Sequence, residues 1–161
     1  MTKTEQEHRL ITIERVFSNC VDHVWAAWAI PEKKKAWFGE GLAECDFREG
    51  GAERSSFVTD MGTHTNQTYY FEIKESKRIV FAYSMALNGR IHTVSLATVL
   101  FSDHRGGTKL TYVEQLCVIP PSDGAEGREH GWRALLDGLE SYLAGDIQDG
   151  YIQDKVQQTP N

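Results

Sequence analysis

Between Ala125 and Gly145 the residues Trp132, Leu135, Leu136, Leu139 and Leu143 recur at steps of three and four, which lays an apolar stripe along one face of a helix. A stripe that wide has to bury against a surface of comparable area, and the segments before it supply one. His8–Phe17 is rich in β-branched residues and reads as a first strand, partly covered on both faces. Ser18 and Asn19 are each suited to cap the helix that follows, in which Val21, Val24, Trp25 and Trp28 fall at helical intervals. Pro31 stops that helix and is well placed to open a second, Glu32–Phe38, because a first helical position needs no amide hydrogen. Gly39 and Gly41 end it.

From Leu42 onward the punctuation is that of hairpins. Glu49-Gly50-Gly51 separates Leu42–Arg48 from Ala52–Thr59, and Asp60-Met61-Gly62 precedes Thr65–Lys74. Glu75-Ser76-Lys77 leads into Arg78–Met85. Asn88-Gly89, the favoured pair for a two-residue turn, leads into Ile91–Phe101, and Arg105-Gly106-Gly107 into Lys109–Val118. Strands in direct succession without helical crossovers exclude a parallel βαβ architecture. The expected fold is α+β: a curved antiparallel sheet of about seven strands, two short helices after the first, and a long C-terminal helix packed across the sheet. One domain spans residues 8–145, and a polar tail of 146–161 follows.

Composition narrows the function classes. A chain of 161 residues, 40% hydrophobic and 25% charged, is an ordinary globular domain that can bury a core without staples. Its formal charge is -6, and its basic residues are scattered apart from Lys33-Lys34-Lys35, so no surface suits a nucleic-acid backbone. The N-terminus lacks an apolar signal core and no apolar run is long enough to cross a bilayer, which points to a cytoplasmic protein without membrane insertion. Cys20, Cys45 and Cys117 are widely spaced and fit reduced thiols rather than a disulfide framework or a zinc site. There is no HExxH, GxSxG, phosphate-binding loop or dinucleotide fingerprint, so neither a cofactor nor a metal is expected. Glu126 and His130, four apart on the last helix, are two metal-ligand types without a third and read as an exposed pair.

Strand alternation supplies the candidate site. Leu110, Tyr112 and Glu114 share one side of their strand, and the first two mark it as the apolar side. Glu114 then points beneath the C-terminal helix, where a carboxylate is costly unless paired, hydrogen-bonded or protonated; if the alternation breaks near the strand end, it is solvated. Ile79, Phe81, Tyr83 and Met85 share a face, and Tyr83 either offers its hydroxyl to a ligand or packs as core. Glu53, Ser55 and Phe57 form one face that, if internal, gives a pocket a polar end. Ile91, Val99 and Phe101 oppose Val94, Leu96 and Leu100, and two apolar faces on one strand suggest a homodimer interface on the outside; His92 falls on the second of these faces. Trp37 and Trp132 are candidates for cavity walls or for plain core.

The element order resembles the helix-grip fold of the SRPBCC superfamily, which includes START lipid-binding domains and the birch-pollen allergen. Val24-Trp25 with Trp28, Trp37-Phe38-Gly39, Asp46-Phe47-Arg48 with Gly50-Gly51, Gly107-Thr108 leading into Leu110, and Gly131-Trp132 with Leu136 together look like the branch named for the activator of the ninety-kilodalton heat-shock-protein ATPase. The matches run from about Ile11 to Leu143, and it is the ordered set that is specific. Thr68 stands where that pattern commonly has glycine, which suggests an altered bulge. The resemblance implies a cavity between sheet and helix, with a polar residue often facing it at the position of Glu114. The leading expectation is binding of a small hydrophobic or aromatic molecule, with Trp37, Phe57, Tyr83, Tyr112, Glu114 and Trp132 as its contacts. Two alternatives are a chaperone-associated module of the stress response and a cyclase-, aromatase- or hydrolase-like enzyme using Glu114.

Overall fold

A computed structural model describes residues 7–39 and 41–145; the tail expected at 146–161 lies outside the described residues. The elements run β1 (Glu7–Phe17), α1 (Val21–Ala29), α2 (Pro31–Phe38), β2 (Leu42–Cys45), β3 (Ala52–Thr59), β4 (Gly62–Lys74), β5 (Arg78–Leu87), β6 (Arg90–His104), β7 (Gly107–Val118) and α3 (Gly124–Leu143). The strands form one seven-stranded sheet in the order β1-β7-β6-β5-β4-β3-β2, with every neighbouring pair antiparallel. The helix-grip architecture expected from the hairpin punctuation is the one observed. Only the first meander strand is much shorter than its pattern, ending at Cys45 rather than Arg48. No described helix is long and apolar enough to cross a membrane.

Period-two alternation decides which side chains enter the concave face. On β7, Leu110, Tyr112, Glu114, Leu116 and Val118 are buried, and on β5 the same is true of Ile79, Phe81, Tyr83 and Met85. On β1 the expectation of cover on both faces fails: Ile11, Ile13 and Phe17 are buried, whereas Leu10 and Val16 are exposed. The outer face of the sheet carries Leu10, Tyr69, Phe71, Val94 and Leu96, all exposed.

The ambiguous strand is resolved by a bulge. Met85 pairs with Thr93 but Ala86 pairs with Ile91, so His92 is an extra residue in the ladder. The parity of β6 therefore inverts at that point. His92 and Thr93 are both buried, and Ile91 turns outward with Val94, Leu96 and Leu100. This corrects the grouping of Ile91 with Val99 and Phe101, and of His92 with the outer residues. A second irregularity, between Tyr70 and Glu72 on β4, lies just beyond Thr68, which is itself buried and in regular register with Tyr83.

Neither Ser18 nor Asn19 caps α1. The helix starts on Cys20, whose carbonyl accepts the amides of His23 and Val24. Asn19 is used elsewhere: its side-chain amide donates to the carbonyl of Leu143 at 3.0 Å, and its carbonyl accepts from the Thr108 hydroxyl at 2.8 Å. It thereby ties the entrance of α1 to the end of α3 and the start of β7. The buried stripe of α3 includes Trp132, Leu136, Leu139 and Leu143, as its spacing predicts, while Leu135 is only partly covered. Trp37 fixes α2 by donating from its indole to the carbonyl of Ala27 at 2.8 Å. Its own carbonyl lies 3.1 Å from where a Cβ on Gly138 would sit, so that glycine lets α2 approach α3.

At Gly107 a Cβ would lie 2.3 Å from the carbonyl oxygen of Phe17, whereas at Gly131, inside α3, it would meet nothing within 4 Å. Gly107→Ala is expected to lower stability by about 1–3 kcal/mol as β1 and β7 are forced apart. Gly131→Ala should raise it by up to ~1 kcal/mol through helix propensity. Urea unfolding midpoints of the two variants measure both signs.

Candidate functional site

Two buried carboxylates, one on β7 and one on β3, organise the interior. Glu114 is fully buried. Its oxygens accept from the hydroxyl of Tyr83 at 2.9 Å, of Tyr112 at 2.5 Å and of Ser95 at 2.5 Å, donors carried by β5, β7 and β6. The Trp132 indole completes the set by donating to the Tyr83 hydroxyl at 3.1 Å, which links the sheet to α3. Both tyrosines are held well above the ordinary phenol range, first by burial; the Glu114 charge adds to this in each. They remain donors at any physiological pH. The alternation on β7 thus continues past Tyr112, and Glu114 is internal rather than solvated.

The second carboxylate belongs to Glu53. Its Oε1 accepts from Lys34 Nζ at 2.6 Å, from the Tyr70 hydroxyl at 2.7 Å and from the Cys45 thiol at 3.3 Å, and Lys34 also donates to Tyr70 at 3.1 Å. Lys34 and Glu53 are 4% and 3% exposed, so this is a buried ion pair rather than a surface one. The ammonium also sits 4.7 Å from the centre of the Phe38 ring. Burial and the Glu53 charge push the Cys45 thiol up to about 12, and the same two causes raise Tyr70. Cys45 is therefore a protonated donor and a poor nucleophile.

Between these polar ends lies an aromatic group centred on Trp132. Its ring stacks on Tyr112 at 4.1 Å and on Trp28 at 6.2 Å, and meets Phe38, Phe81 and Tyr83 at 6.3, 6.3 and 6.4 Å. Each such pair contributes about 0.5–1.5 kcal/mol beyond area burial. These side chains do not close the space between sheet and helix. A cavity of about 440 Å³ remains, bordered by Trp37, Phe38, Leu42, Phe57, Tyr83, Met85, Trp132 and Leu135, with Ser55, Asn66 and Arg128 as polar members of its wall. That volume falls within the range of small-molecule sites.

The residues singled out from sequence thus separate into two layers. Trp37, Phe57, Tyr83 and Trp132 border the cavity, Phe57 as a half-exposed side chain. Tyr112 and Glu114 lie behind Tyr83 and Trp132 and do not border it. With every hydroxyl around it aimed at its own oxygens, Glu114 is a fixed anchor. Glu126 and His130 are exposed, and among the described residues no group of three His, Cys, Asp or Glu side chains converges to hold a metal.

Sequence reasoning missed Lys34, Tyr70, Asn66 and Arg128. Lys34 hides in a run of three lysines that reads as solvated, yet it lies three residues before Trp37 on the buried side of α2. Arg128 stands one helical turn before Trp132, a spacing that could have flagged it.

Glu114→Leu should leave three buried hydroxyls without an acceptor and cost about 3–5 kcal/mol. At about 2–4 °C per kcal/mol this lowers Tm by roughly 10 °C in calorimetry. Lys34→Met is expected to cost about 3–5 kcal/mol by leaving Glu53 buried and uncompensated, and most of that should return in the double variant Lys34→Met/Glu53→Leu. An additive double-mutant cycle in urea would contradict the coupling.

Similarity to known proteins is consistent with this geometry. An uncharacterised protein of Rhizobium leguminosarum shares 34% identity, with 89% of this chain and 99% of that one covered at a TM-score of 0.83. A protein of Rhizobium loti shares 35% identity over 85% of this chain and 98% of its own, at 0.80. At 24% identity a protein of Chromobacterium violaceum, covering 83% and 96% at 0.68, shows the common fold alone. No curated protein matches the chain. Residues 20–144 match the family described as Activator of Hsp90 ATPase homolog 1-like protein. That span runs from the start of α1 through β7 and α3 and so takes in both buried carboxylates and the cavity wall, and on it the chain belongs to the Activator of Hsp90 ATPase homolog 1-like family.

Proposed function

We propose that the chain binds a small hydrophobic or aromatic molecule in the cavity between its sheet and α3. The observation that carries this reading is a space of about 440 Å³ left open in the middle of a dense aromatic core. Interiors are ordinarily packed with few voids larger than a water molecule. Here a cavity that opens to solvent persists beside Trp37, Phe38 and Trp132. Mostly apolar walls with a few polar groups are what a receptor for a compact, largely apolar molecule requires.

The same geometry argues for binding over acid–base chemistry at Glu114. A general base needs its oxygen within hydrogen-bond reach of the substrate, and Glu114 is separated from the cavity by Tyr83 and Trp132 and engaged by hydroxyl donors. Burial of the ligand would supply about 25 cal/mol per Å² of apolar surface, less the costs of association.

Gly131 borders the cavity with open space at its Cβ position, so a larger side chain can enter without displacing backbone. Wild-type protein is expected to bind the neutral fluorophore N-phenyl-1-naphthylamine at one site, and Gly131→Leu to weaken that binding at least about tenfold while Tm holds or rises. Fluorescence titration with parallel calorimetry measures both. No saturable binding to the wild type, or equal binding by a folded Gly131→Leu, would refute the proposal.

A further inference from the structure

Ser55, Ser56, Asn66, Tyr83 and Arg128 are the polar side chains among the described residues that border the cavity. Ser55, Asn66, Met85 and Thr93 are successive cross-strand partners on β3, β4, β5 and β6, and the first three border the cavity. Asn66 spends its carbonyl oxygen on the Thr68 hydroxyl at 3.2 Å, which leaves its amide N–H groups uncommitted among the described residues. Thr93 is fully buried, and its hydroxyl has no partner among the described residues. The Tyr83 hydroxyl is committed: it accepts from Trp132 and donates to Glu114.

Arg128 carries the only charge among the described residues that border the cavity. Its side chain is 13% exposed, and one terminal nitrogen donates to Asp123 at 2.7 Å. Its Nε is buried and has no acceptor among the described residues. Asp123 does not neutralise this cation fully. That carboxylate is half-exposed, and its other oxygen faces Ser122 at 3.4 Å and His92 at 3.6 Å. A guanidinium that is the only charged group among the described residues bordering the cavity, with N–H groups beyond the one given to Asp123, matches the geometry and charge of a carboxylate.

We infer that the cavity selects an amphipathic monocarboxylate, an acyl or fused-ring acid, whose head group docks on Arg128 and whose apolar body lies along Trp132, Leu135, Phe38 and Trp37. The assignment rests on the cavity being a binding site, as proposed above. Arg128 and Leu135 are seven residues apart on α3, about 10 Å along the axis. That span fits a medium-chain acyl group or two fused rings. A neutral hydroxyl would make one weaker hydrogen bond to the guanidinium in place of a charge-paired one, and an ammonium would face it directly.

Intrinsic tryptophan fluorescence and isothermal titration with decanoate, decan-1-ol and decylamine at low salt test the assignment on the intact chain. Decanoate should bind at least about tenfold more tightly than decan-1-ol, with decylamine weakest. Arg128→Met should remove that preference while leaving decan-1-ol within twofold, and Arg128→Lys should retain part of it. Equal affinity of wild type for decanoate and decan-1-ol would overturn the carboxylate assignment and leave the cavity proposal standing. So would equal weakening of both ligands in Arg128→Met. Failure of all three ligands and of the neutral fluorophore would remove both. Because the wild-type comparison needs no variant, the assignment is decided even if Arg128→Met does not fold.

Discussion

A carboxylate buried without a cation partner is the constraint on which the interior of this domain depends. Among the described residues no ammonium or guanidinium reaches the Glu114 oxygens, so its desolvation is met by hydrogen bonds, and hydroxyls from three adjoining strands converge to make them. Tyr83, Ser95 and Tyr112 therefore cannot adopt other rotamers without leaving a buried carboxyl oxygen short of a partner. Trp132 joins the network through the Tyr83 hydroxyl, so the height of α3 above the sheet is set by a polar contact as well as by apolar packing. A helix held in this way cannot collapse onto the sheet to fill the remaining space.

At the other edge Lys34 and Glu53 act as a second brace. Their ion pair joins α2 to β3, and Tyr70 and Cys45 extend it to β4 and β2. A buried pair of this kind is weak evidence for stability, since well-packed apolar residues of similar volume often do as well. Its value here is positional. It fixes α2 at the cavity border, where Trp37 and Phe38 stand. The two carboxylates thus each tie neighbouring strands and a helix together on either side of the aromatic residues.

Much of this was legible in the chain. The hairpin turns are short and chemically distinctive, and the stripe on α3 is long, so element order and sheet connectivity followed from local pattern. Alternation left Glu114 either internal or solvated, and the structure has it fully buried. It failed at His92, because a bulge adds one residue to the ladder and reverses parity without leaving a mark in composition. It also failed at Asn19, whose side chain looked like a helix cap and serves instead to hold the end of α3. Both misses concern residues whose partners are distant along the chain.

The sequence by itself determined the succession of strands and helices, the inward faces of β5, β7 and α3 and the family to which the chain belongs, because these depend on periodicity and turn chemistry within short windows. The tertiary structure alone decided that Tyr112 and Glu114 lie behind the cavity rather than on it, that Lys34 is buried and that Arg128 reaches the cavity wall. Those facts depend on how closely α2 and α3 approach the sheet. That distance is set by contacts among residues far apart in sequence, and no local pattern encodes it.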